Sequence, residues 1–172
     1  RYAFMLTGQG QQLFQWFRRG PTAPAINMPA PVKEKLWEYI RERGLQQNLV
    51  RGYSEYNQNG TVFCAHPNYR SEGPWYDWAM VRYEVADAHG YVPAKVLALF
   101  CCDADPNNLL AIIHPCDFSD HMEDSVLCEK WNLEYDEDFI NQDVYWPRLD
   151  IVSVETFDEQ VFVIEEYPGI HE

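Results

Sequence analysis

The sequence predicts a mainly β fold of the α+β kind, a small β-barrel of about six or seven short strands preceded by one or two helices. Three observations predict it. From Tyr53 onward the period is two, with β-branched and aromatic residues alternating with polar partners. The runs are short and are separated by pieces rich in Gly, Asn and Asp, without the helix-length stretches that alternate with strands in parallel sheets. Helical spacing is confined to the start of the chain. The organisation that follows is a helical lead with a Pro-rich linker over residues 1–50 and a β-barrel domain over residues 51–172.

The elements follow in order. Leu13, Phe14, Trp16 and Phe17 give residues 11–18 the spacing of a short amphipathic helix, ended by Gly20 and Pro21. Pro21, Pro24, Pro29 and Pro31 make residues 20–31 an extended linker, because each ring fixes φ and removes a donor. Residues 32–43 form a second helix in which Leu36, Trp37, Tyr39 and Ile40 are interleaved with Lys33, Glu34, Lys35, Glu38, Arg41 and Glu42, and Gly44 closes it. Asn59-Gly60 is a strong two-residue turn signal, so residues 52–56 and 61–65 pair as a hairpin. Further strands are expected over 78–85, 92–101, 109–115, 126–135, 151–155 and 160–164. Pro93 opens its strand, where a missing donor is tolerated. Turns fall over 88–90, 103–108, 119–124 and 136–143.

Composition narrows the partners. Of 172 residues, 47% are hydrophobic and 15% aromatic, enough apolar bulk to offset the entropy of ordering a chain. The net charge is −14, but residues 1–100 carry +3 and residues 101–172 carry −17. So acidic a second part repels phosphate backbones, which makes DNA an unfavourable partner for residues 101–172 and favours a basic protein or peptide. Arg18, Arg19, Lys33, Lys35, Arg41, Arg43 and Arg51 leave the first part less constrained. Five cysteines, an odd number, and a start without a secretion-signal pattern suggest a reducing compartment, nuclear or cytoplasmic. The longest apolar stretches, 96–102 and 109–114, fall short of the roughly 18 residues that a spanning helix needs, so no membrane is expected. Opening on Arg1 and ending on Glu172, the chain reads as a piece of a longer polypeptide.

Catalytic signatures are missing: there is no G-x-S-x-G elbow and no P-loop, and Gly8-Gln9-Gly10 lacks the third glycine of a dinucleotide fingerprint. Two metal arrangements present themselves. Cys64-Ala65-His66 and His114-Pro115-Cys116 place a thiol and an imidazole two residues apart, on one face of a strand, and two neighbouring strands so equipped complete a tetrahedral zinc site. The bland alternative is buried cysteines beside turn histidines. The carboxylates Asp117, Asp120, Glu123 and Asp124 are the oxygen-rich kind of cluster that holds divalent ions in nucleases, or else a solvated acidic loop. Of the adjacent Cys101 and Cys102, which face opposite sides of a strand, one is expected in the core.

The most distinctive feature is aromatic. Trp75, Tyr76 and Trp78 flank Asp77, with Tyr69, Tyr83, Trp131 and Tyr135 available from other segments. Ring faces carry negative quadrupole density, so two or three of them around a carboxylate receive an ammonium or methylated ammonium group. The expected binding surface comprises Trp75, Tyr76, Asp77, Trp78, Trp131 and Tyr135, against the ordinary reading of such rings as core.

The order of these motifs carries a resemblance. Residues 53–56, VFCAHPNYR at 62–70, GPWYDWAMVRY at 73–83, VPAKVLALF at 92–100, WNLEY at 131–135 and LDIVSV at 149–154 together resemble the C-terminal module of transposon-encoded or transposase-derived proteins of algae and fungi. More distantly they resemble the bromo-adjacent-homology (BAH) fold, over about residues 53–167. The resemblance implies a β-barrel used for protein or chromatin contacts. It departs from the DNA-binding versions in having only Lys130 and Arg148 as basic residues after position 100. The expectation is a non-enzymatic interaction module that recognises a basic partner such as a histone tail and holds no cofactor. The alternatives are a metal-dependent nuclease or transposase accessory domain built on the acidic cluster, and a zinc-stabilised structural domain built on Cys64, His66, His114 and Cys116.

Overall fold

Helix α1 (Ala30–Glu42) begins two residues before the expected start, because Pro31 falls in the first turn, where the missing N–H would have no partner within the helix. Val32, Leu36 and Ile40 recur every fourth residue and are buried as one stripe, and Gly44, at φ 61°, turns the chain out of the helix. The structure is a computed structural model that describes residues 28–44, 50–83, 90–102, 104–118, 131–133, 135 and 146–163. The expected helix over 11–18, and most of the expected strand over 126–135, lie outside these residues.

The fold is mainly β, as expected. The strands are β1 (Val50–Tyr53), β2 (Glu55–Gln58), β3 (Thr61–His66), β4 (Trp75–Tyr76), β5 (Trp78–Arg82), β6 (Tyr91–Cys102), β7 (Asp105–Phe118), β8 (Trp131–Leu133), β9 (Asp150–Ser153) and β10 (Phe157–Val161). All pairings among them are antiparallel. The larger sheet runs β10-β5-β6-β7-β8, with β1 also on β6 and β9 also on β7, and the smaller runs β2-β3-β4. Both are open sheets, and among the described residues no ladder closes either into a barrel.

The long strands β6 and β7 organise the larger sheet. Since β7 takes one edge of β6, the other edge is shared end to end. There β5 pairs along Tyr91–Lys95 and β1 along Leu99–Cys102. The outer edge of β7 is likewise divided between β9, which ends opposite Ile113, and β8, which begins opposite Cys116. Pro115 stands in the gap between those two ladders, a position compatible with a missing donor.

Both faces of this central pair are covered. Ala94, Val96, Leu99 and Cys101 join Leu109, Ala111 and Ile113 in one core with Ala79, Val81 and Phe157 of the same sheet and Phe63 and Ala65 of the smaller one. Ala98, Phe100, Cys102 and Ile112 face the other way, against Val32, Leu36 and Ile40 of α1. Burial on both sides explains why 96–102 reads as a continuous apolar run and not as an alternation. A register shift between Val96 and Ala98 lets Val96 and Leu99, three residues apart, share a face. It also corrects one expectation: Cys101 and Cys102 do face opposite sides, but both are core.

A second correction concerns residues 103–108, expected as a turn. The ladder already resumes at Asp105, opposite Cys102, and then slips, so that Phe100 meets Leu110. Polar, proline-bearing Asp105–Asn108 is exposed strand at an irregular sheet end, and its composition imitates a loop. The hairpin turns at Asn59-Gly60 as expected, but its first strand is β2 (Glu55–Gln58) and not 52–56, because Gly52 and Tyr53 belong to β1 and pair with Phe100 and Leu99 of β6. Asn59 and Gly60 both have positive φ (52° and 93°), as a primed two-residue turn requires, and the Gly60 N–H donates to Asn57 Oδ1 at 2.9 Å.

Candidate functional site

The two-residue turn fixes the hairpin register, placing Tyr56 opposite Phe63 and Glu55 opposite Cys64. Alternation then sorts the small sheet into two faces. Phe63, Ala65, Tyr56 and Tyr76 belong to the main core. Glu55, Cys64, His66 and Trp75 fall on the other face, where His66 pairs with Trp75 across β3 and β4. The 3₁₀ turn Tyr69–Ser71 and the link at Asp77 lie against that second face.

Asp77 ties the face together. Its Oδ2 accepts from the Cys64 N–H at 2.7 Å and its Oδ1 from the Trp75 indole Nε1 at 3.0 Å. Its own N–H donates to the Cys64 carbonyl at 2.9 Å, and its carbonyl accepts from the Val96 N–H at 2.8 Å. One residue thus joins β3, β4 and β6 at the place where β1 and β5 leave the edge of β6 unshared. The charge partner expected for a ligand is committed to its own chain.

Trp75 is 52% exposed, although it is held by that indole bond and by the Tyr69 ring, whose centroid lies 5.8 Å away. Beneath them Glu55 is only 5% exposed and accepts a hydrogen bond from the Tyr69 hydroxyl. Arg70 completes the corner. Its guanidinium lies 4.9 Å from the Tyr69 ring centre and 3.8 Å from Glu55 Oε1.

The three expected aromatics separate. Trp75 stays exposed at the rim of the second face, Tyr76 packs against the main core, and Trp78 is 8% exposed in β5 with Lys95 Nζ 5.7 Å from its ring centre. The strand period sends neighbours to opposite sides, so the rings do not converge on Asp77. Lys95 is the cross-strand partner of both Trp78 and His114, and His114 meets the Tyr135 ring edge-on at 5.3 Å. Trp78 and Tyr135 therefore belong to a row across β5, β6 and β7, separate from the Trp75 corner. Trp131 stands in β8 opposite Phe118.

The mirrored Cys and His pairs are also divided, Cys64 and His66 in the small sheet and His114 and Cys116 in β7. Among the described residues no three or more His, Cys, Asp or Glu side chains are grouped to hold a metal. Asp117 lies in β7, while Asp120, Glu123 and Asp124 fall outside the described residues. Burial, then the nearby Asp77 and Glu55 charges, push the Cys64 thiol up to about 11, which keeps it protonated and a poor nucleophile at neutral pH. Burial lowers His66 and raises Tyr69, whose bond to Glu55 adds to the rise, so that the Tyr69 hydroxyl stays a donor.

A cleft of about 290 Å³ lies elsewhere, between α1 and the β7 and β9 strands, and is bordered by Tyr39, Glu42, Arg43 and Asn108. Its charges are mixed: Arg43 sits 4.4 Å from the Tyr39 ring centre and Lys35 pairs with Glu38 at 3.3 Å. Glu55 and Arg70 were not singled out from sequence. The signal for Glu55 was present, because counting back from Asn59-Gly60 sets it opposite Cys64, an acid beside a small buried residue.

No family model, curated protein or solved structure matches the chain.

Proposed function

We propose that the chain is a non-catalytic interaction module that receives a basic protein segment around the exposed Trp75 and the Tyr69 ring, beside the small sheet. One observation carries the reading. Trp75 is kept in solvent by a hydrogen bond and a ring contact, where burial would have been the cheaper use of an indole. Fixed, exposed aromatics are the residues that dominate binding at protein interfaces. The net charge of −14 attracts a cationic partner over distance, and Glu55 offers a carboxylate beneath the rings. A histone tail has this chemistry, which is also what the resemblance to chromatin-associated modules implies, and it would place the protein in the nucleus.

The test is a fluorescence titration of the full chain with basic, neutral and acidic peptides at low and physiological salt. The basic peptides are expected to bind, more tightly at low salt, and Trp75→Ala is expected to weaken them about tenfold or more, ~1.4 kcal/mol. Absence of binding by every basic peptide at both salt concentrations refutes the proposal.

A further inference from the structure

We infer that the Tyr69 corner is an arginine-recognising site occupied by the protein's own Arg70, and that a partner's arginine side chain replaces Arg70 on binding. The inference rests on the reading of this face as the meeting point with a basic segment, and it adds the residue type read and the gate that guards it.

The corner already shows how it treats a guanidinium. Arg70 lies over the Tyr69 ring at 4.9 Å and approaches Glu55 Oε1 at 3.8 Å, the two contacts by which proteins select arginine: a flat face to stack on and a carboxylate to pair with. The receptor does not need Arg70 to hold its shape. Glu55 is fixed by the β2–β3 register and by the Tyr69 hydroxyl, and Trp75 is fixed through Asp77.

Arg70 itself is lightly held. Its side chain is 60% exposed, and the 3.8 Å approach is long for a charge-assisted hydrogen bond. Its backbone adopts φ 50°, ψ 27°, the left-handed region that a non-glycine residue occupies at a cost. A weakly bound internal ligand reduces the fraction of molecules open to an outside one, and so lowers apparent affinity without blocking the site. The chemistry favours arginine over the other basic groups. Glu55 is buried, so a strongly hydrated lysine ammonium would lose more water there than a weakly hydrated guanidinium. A trimethylated ammonium has no N–H to give the carboxylate.

The experiment uses the full chain and three peptides identical except at one central position, which is arginine, lysine or trimethyl-lysine. The arginine peptide is expected to bind about tenfold tighter than the other two. Arg70→Ala and Arg70→Lys are both expected to bind it about threefold tighter than the wild type, because each removes the stacked guanidinium. Arg70→Lys keeps the charge, so tightening by Arg70→Ala alone would show simple charge repulsion and overturn displacement. In the wild type the Arg70 Nε–Hε resonance is expected to move to the position of a solvated arginine as the peptide saturates. A resonance that stays in place, or equal binding of all three peptides, also overturns the inference. Failure of the underlying reading looks different: none of the peptides binds wild type or either Arg70 variant.

Discussion

Removing the Asp77 carboxylate separates the two jobs of this residue, since its backbone bonds to Cys64 and Val96 survive any change of side chain. Asp77→Ala deletes the acceptor for the Cys64 N–H, at 2.7 Å and part-buried, and for the exposed Trp75 indole at 3.0 Å. Hydrogen bonds to a charged partner contribute about 1.5–3 kcal/mol when shielded, and an exposed one that competes with water only about 0.5 kcal/mol. The bond to Cys64 should dominate, because a stranded backbone donor inside β3 has no easy route to water, whereas the indole has. We expect Asp77→Ala to lose about 2–3 kcal/mol and Asp77→Asn about 1 kcal/mol, since the amide oxygen can still serve Cys64 while its NH₂ faces the indole. For a chain of this size such a loss lowers Tm by about 5–10 °C for the alanine variant. Urea unfolding followed by tryptophan fluorescence measures the difference, and amide exchange at Cys64 locates it. An alanine variant within about 0.5 kcal/mol of wild type, with the Cys64 amide still protected, would refute the idea that this carboxylate holds β3 and Trp75 in place.

Two further predictions follow from the core and from its thiols. Phe100 is fully buried and meets the Tyr39 ring edge-on at 5.5 Å, between α1 and β6, so Phe100→Ala should cost about 3–5 kcal/mol and loosen the helix, as measured by urea unfolding and far-ultraviolet circular dichroism. The Cys64 thiol, raised from an ordinary 9.0 to about 11, should resist iodoacetamide at pH 7 and react about tenfold faster per pH unit as the pH rises toward 10. Because its folded value lies above the unfolded one, its contribution to stability is complete below pH 9 and falls away between pH 9 and about 11. Cys64→Ser should flatten that slope, and labelling of folded wild type at the rate of an unfolded thiol at pH 7 would contradict the burial described for it.

The parts of the fold that local chemistry determines were legible in the sequence. The stripe of Val32, Leu36 and Ile40, the Asn59-Gly60 turn and the apolar run of β6 each carry their own explanation within a few residues. What depends on distant partners was not. The slip that carries Phe100 from its place to Leu110 has no local mark, and neither does the covering of β6 on both faces, which puts Cys101 and Cys102 in different cores. The same division runs through the site. Trp75 beside Asp77 could be read from two positions with one residue between them, on the same side of an extended chain, but Asp77's service to Cys64, thirteen residues earlier, depends on how β3 and β4 pair. Tyr76 and Trp78 were misleading because a cluster along the chain becomes a scatter once alternate side chains turn to opposite faces.

The arrangement of long and short strands also bears on how the protein survives at high concentration. β6 and β7, with 12 and 14 residues, are the best templates for a foreign strand, and each is enclosed by neighbours on both edges. Among the described residues the rims left over in the larger sheet are β1, β8, β9 and β10, none longer than five residues. On β10 the exposed Asp158 and Glu159 add like charges that would meet in any rim-to-rim stack. Splitting the border of a sheet into short lengths interrupts the continuous ribbon on which fibrils grow, a geometric device that acts before solubility enters.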